Sequence, residues 1–119
     1  MNPYLEVPKR FAAENTFVAC VAEAYDMTPE KLLAPGRRAR AVEARAVLCW
    51  MLRVARRMSF PELGEIIHRD HTCAIAAIRM VRASRESSPE FLAFTDTLLA
   101  AVQSRVLSPV LWSRNSDET

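Results

Sequence analysis

The chain has 119 residues, half of them hydrophobic and a quarter charged, with a formal net charge of +2. That size and balance describe one soluble domain able to bury a core, and they exclude a disordered chain. No apolar run approaches the ~20 residues of a membrane span, the opening MNPYLEVPKRF lacks a signal peptide's apolar core, and Cys20, Cys49 and Cys73 have no C-x-x-C spacing, so a reduced, cytoplasmic chain is expected.

Glycine occurs only at positions 36 and 64 and β-branched alternation is absent, so the pattern predicts an all-α fold punctuated by prolines at helix starts. Residues 1–9 read as an N-terminal extension, 10–107 as the domain and 108–119 as a flexible tail. A first helix is predicted over about 10–26, with Phe17, Val18, Val21, Ala22 and Tyr25 at i, i+3, i+4 spacing. Thr28-Pro29-Glu30 supplies an N-cap, a first-turn proline and a first-turn acid for a short helix through Leu33. Ala34-Pro35-Gly36 breaks it, and a basic loop, Arg37-Arg38-Ala39-Arg40, follows. The third helix, about 41–57, holds AVLCWML, apolar nearly all round and therefore the expected buried centre. Its arginines Arg45, Arg53 and Arg56 fall within about 80° of one another at 100° per residue, which predicts a basic stripe.

Ser59-Phe60-Pro61-Glu62 has capping-box spacing and opens a short helix ending near Ile67. After His68 and Arg69, Asp70 caps a helix over about 71–86, with Ala74, Ile75, Ile78 and Val81 on its core face. His71, Thr72, Ala76, Arg79 and Arg82 are left toward solvent or a partner. Two helices joined by a three- to four-residue turn, the second polar at its N-terminal end, form the helix-turn-helix pattern. Ser88-Pro89-Glu90 starts a last helix to about 106, packing through Phe91, Leu98, Val102 and Val106.

Charge is unevenly placed. Residues 37–85 hold eleven arginines against four acids, a charge of +7, while the flanks carry −5. An all-arginine basic middle suits phosphate oxygens and guanine edges, and points to a polyanion. Catalytic patterns are missing: G-x-x-x-x-G-K-[ST], G-x-G-x-x-G and H-E-x-x-H do not occur. His68, His71 and Cys73 straddle a turn without a fourth metal ligand, and Asp70 beside His71 has no nucleophile. No catalytic residue, metal, nucleotide or other cofactor is therefore expected.

VAEAYDMTPEKLL (21–33), the arginine loop, FPELGEII (60–67) and RDHTCAI (69–75) together resemble the C-terminal DNA-binding domain, domain IV, of the bacterial replication initiator DnaA. That family's pattern is V-A-E-x-Y…D-L-L, a basic loop, a long helix, S-L-P-E-I-G and G-R-D-H-T-T-V. The resemblance covers about residues 17–83 and reaches no ATPase module. It implies a compact helical bundle with a Trp-repressor-like helix-turn-helix. The recognition helix would enter the major groove of a nine-base-pair box in double-stranded DNA, and a loop arginine the adjacent minor groove. By position, Asp70, His71 and Thr72 would face base edges and Arg37 would be the minor-groove arginine. Arg45, Arg53 and Arg69 would contact or approach phosphates, with Phe60 and Pro61 against the backbone and a thymine methyl. Arg38, Arg40 and Cys73 stand at further backbone positions. The departures are His68 for glycine, Cys73 for threonine, Ala76 for histidine, and Ala39 within the loop.

Two functions are compatible with this reading. One is binding at DnaA-box-like sites that modulates replication initiation or transcription. The other is a DnaA-like regulator that contacts the initiator or its inactivation machinery, favoured by the altered signature and by Pro109-Val110-Leu111-Trp112.

Overall fold

A computed structural model describes residues 9–36 and 38–118, with side chains for residues 11, 13–36 and 38–105. A short 3-10 helix, Lys9–Glu14, leads into α1 (Asn15–Ala24). There follow α2 (Pro29–Leu33), α3 (Ala39–Arg56), α4 (Phe60–Ile67), α5 (His71–Ser87) and α6 (Pro89–Glu118), with no strand among the described residues. The all-α expectation is borne out.

Every residue of α3 from Ala44 to Leu52 is buried, as the AVLCWML run predicts. Leu48, Met51 and Leu52 are fully enclosed, each contributing about 1.5–3 kcal/mol of burial. Around this rod α1 supplies Phe17, Val18 and Val21, α4 supplies Leu63, Ile66 and Ile67, and α5 supplies Ala74, Ile78 and Val81. α6 closes the bundle with Leu98 and Val102. The closest helix partnerships are α5 with α3 and α5 with α4, so α5 is braced on two sides.

Three features differ from the sequence pattern. The expected first helix is divided, because Phe11 leaves helical geometry (φ −109°, ψ 24°) to reach the core where it is buried. Ile75 is half-buried on the α5 flank instead of lying in the core. α6 runs on to Glu118, past the expected end near 106, and takes in the stretch read as a tail. Residues 98–118 contain no glycine to supply a left-handed C-cap. Arg37 and the side chains of Val106, Pro109, Val110, Leu111 and Trp112 lie outside the described residues.

The α4–α5 turn is built by His68. It adopts φ 58°, ψ 43° in the left-handed region. Its amide bonds Glu65 O at 3.3 Å and the Arg69 amide bonds Gly64 O at 2.8 Å, the paired bonds of a Schellman motif. A residue with a Cβ is strained there. His68→Gly is accordingly expected to raise stability by about 1 kcal/mol, seen as a higher midpoint in urea. A lower midpoint would show that the imidazole's own contacts outweigh the backbone cost.

Candidate nucleic-acid interface

The turn sets where α5 begins, and local hydrogen bonds set how it presents its first residues. Upstream, the Ser59 hydroxyl accepts from the Glu62 amide (3.2 Å) while the Glu62 carboxylate accepts from the Ser59 amide (2.9 Å), closing the expected capping box on α4. Asp70 caps α5, its Oδ1 accepting from the Thr72 amide at 3.1 Å. The same oxygen lies 2.9 Å from His71 Nδ1. The Thr72 amide above all, with help from His71, holds the Asp70 carboxyl below its usual value. With Nδ1–H committed to Asp70, a neutral His71 turns Nε2 outward as an acceptor, and a protonated one turns out a donor. Asp70, His71, Thr72 and Cys73 are all exposed. One helix start therefore offers a carboxylate, an imidazole, a hydroxyl with a methyl, and a thiol. Ala76, Arg79 and Arg82 continue the same exposed face down α5.

The arginines divide into two groups. Arg38 and Arg40 are exposed at the start of α3, Arg40 steadied by its Nε donating to Tyr25 O at 2.7 Å. Arg53 is half-buried, donates to Met58 O at 2.8 Å and stacks 4.3 Å over the Phe60 ring, beside the exposed Pro61. That brings Arg53, Phe60 and Pro61 together at the N-terminus of α4. Arg45 is placed elsewhere than expected. It is 5% exposed, and its guanidinium donates to Leu32 O (3.0 Å), Ala34 O (3.4 Å) and Gly36 O (2.7 Å). Burial first, and then the neighbouring Arg69 charge, push its pKa down from the ordinary arginine value. Arg69 is also held inward, donating to Ile67 O at 2.6 Å and Ala34 O at 3.0 Å. Arg56 pairs with Glu14 at 3.4 Å. In the predicted stripe of Arg45, Arg53 and Arg56 each guanidinium thus has a partner within the domain, and Arg45 alone of the three is buried.

Between the loop and α5 lies a cleft of about 280 Å³, bounded by Val42, Ala46, Cys73, Ala76, Ala77 and Met80, with Arg45 and Arg69 on its walls. Its lining is mainly apolar. Sequence reading also passes over Gly64, whose backbone touches the start of α5. The clue to it was available: it is one of only two glycines, and it stands inside a helical pattern. Among the described residues no group of three or more His, Cys, Asp or Glu side chains could hold a metal ion, and no helix is long and apolar enough to cross a membrane.

Residues 15–81 match the family model described as the bacterial DnaA protein helix-turn-helix. The chromosomal replication initiator protein DnaA of Mycobacteroides abscessus is 30% identical over 90 residues, covering 76% of this chain and 18% of that protein. DnaA of Thermus thermophilus is 34% identical over 82 residues (68% of this chain, 19% of the relative). For DnaA of Deinococcus radiodurans the figures are 29% over 85 residues, 71% and 18%. The chain spans less than a fifth of the length of these relatives. The family match begins with α1 and ends inside α5, taking in the loop, the capping box, the left-handed turn and the exposed polar helix start, and by it the chain belongs to the bacterial DnaA helix-turn-helix family.

Proposed function

We propose that this chain reads double-stranded DNA at DnaA-box-like sites, and so modulates replication initiation or transcription by occupying them. The observation that carries the proposal is the exposed Asp70-His71-Thr72 start of α5, projecting from a helix-turn-helix with arginines 38 and 40 exposed at the start of α3. Each residue suits base-edge chemistry. Asp70 can accept from a cytosine or adenine amino group, His71 can accept or donate, and Thr72 offers a hydroxyl and a methyl. Arg37 in the loop is assigned to the minor groove, and Arg38 and Arg40 to the backbone. Phosphate attraction supplies affinity and salt dependence, while α5 supplies discrimination. The reading gives the chain no catalytic step and places it in the cytoplasm, on the nucleoid.

Fluorescence anisotropy with a labelled DnaA-type nine-base-pair box and a scrambled duplex, at two salt concentrations, tests this. Tighter binding to the box that persists at the higher salt is expected. His71→Ala or Thr72→Ala should erase the preference, a loss of roughly 1–3 kcal/mol of discrimination. Equal, salt-sensitive binding to both duplexes, or no binding, would sink the proposal.

A second reading has an observation of its own. Val42 and Met80 are exposed on the apolar cleft beside α5, where a polyanion reader would be expected to present cations. That surface favours protein contact, with DnaA itself or one of its regulators as the partner. Failure to bind either duplex, together with co-elution with purified DnaA, would favour it.

A further inference from the structure

We infer that Arg69 is a positioning residue which, with Arg45, fastens the basic loop to the start of the recognition helix, so that loop and helix meet DNA as one body. The inference rests on the DNA reading above and reassigns two arginines expected at phosphates.

The physical basis is the orphan carbonyls of two short helices. The last carbonyls of α2 and α4 have no partner within their own helices, and both ends carry partial negative charge. Arg45 reaches the α2 end and the loop beyond it, through Leu32 O, Ala34 O and Gly36 O. Arg69 takes the α4 end through Ile67 O, and its second nitrogen crosses to Ala34 O, 35 residues back in the chain. Ala34 O is therefore shared by the two guanidinium groups. Gly36 O, one residue before Arg37, is held at 2.7 Å. Arg69 in turn sits directly before Asp70, so its backbone belongs to the recognition turn while its side chain grips the loop. Only a planar fork serves two carbonyls in this way, which a lysine ammonium does not reproduce.

The consequence is thermodynamic. A loop already held in place does not have to be ordered when DNA binds, and that ordering cost is kept out of the affinity. Without Arg69, Ala34 O keeps, among the described residues, only the 3.4 Å contact from Arg45, at the weak end of hydrogen-bond geometry.

A phosphate contact and a fastening role differ in what lysine can rescue. R69A, R69K, R37A and the R37A/R69A double variant are measured by anisotropy on the box duplex, and loop cleavage by trypsin after Arg37 and Arg38 is followed in parallel. For a fastening residue, R69A and R69K both lose about tenfold in box affinity, and R69A adds less than about twofold once Arg37 is alanine. Loop cleavage accelerates in both single Arg69 variants while the melting midpoint of R69K stays near wild type. If R69A does not fold, R69K carries the test. Wild-type affinity in R69K, with additive loss and a salt slope lower by about one in R69A, marks a phosphate contact and overturns the inference. If the wild type shows no box preference, the DNA reading fails on its own. Loop cleavage then judges the fastening, and unchanged cleavage in R69K overturns it.

Discussion

Gly64→Ala is expected to lower stability by about 2 kcal/mol and to remove box preference altogether. A Cβ built at this position would lie 2.7 Å from Arg69 O, 3.0 Å from His71 N and 3.2 Å from the Asp70 carbonyl carbon. All three are backbone atoms, so no side chain can swing aside to make room. The helix propensity of alanine returns at most about 1 kcal/mol, less than the strain of parting α4 from the turn. The displaced atoms belong to the residues that orient the proposed reading head. Pushing Arg69 O and His71 N outward breaks the register in which Asp70 Oδ1 meets the Thr72 amide. A urea melt and the box-against-scrambled anisotropy comparison check both halves. Wild-type behaviour in both would mean that α4 and α5 can separate without consequence for the head.

Much of the domain is legible in the sequence because its punctuation is local. Thr28 accepting from the Lys31 amide, the Ser59–Glu62 box and the Asp70 cap each depend on residues two or three apart, and all three are found. The buried centre of α3 is equally plain, since a run apolar on every side has nowhere to go but inward. Arg45 was not legible for the opposite reason. A helical projection places it with Arg53 and Arg56, but cannot tell whether another element covers that turn of the helix. Here the carbonyls of Leu32, Ala34 and Gly36 cover it, and they arrive by tertiary approach of α2 and the loop. Arg69 is a similar case: its position in the R-D-H-T run gives no sign that its fork turns back across the fold to Ile67 O and Ala34 O. The polar start of α5 is legible because its residues are exposed and need no tertiary partner to place them.

The second large effect follows from that reversal. Arg45→Ala is expected to cost about 3 kcal/mol of stability, and the loss should appear in a melt without any DNA present. Arg45 is a cation with 5% exposure, held by three backbone carbonyls and, among the described residues, by no carboxylate. Burial and the nearby Arg69 charge both disfavour it, as its lowered pKa indicates. The three carbonyls are what offset that penalty. Truncation removes the charge, but it leaves the C-terminal end of α2 without its cap and opens space against the core beside Ala46 and Ile67. An exposed phosphate-contacting arginine behaves in the opposite way. Its removal leaves stability within about 0.5 kcal/mol and lowers the salt slope of binding by about one. A wild-type melt with a flattened salt slope would return Arg45 to the DNA backbone. A lowered melt with the salt slope unchanged, measured where the variant remains folded, assigns it to the frame that holds the loop against the head.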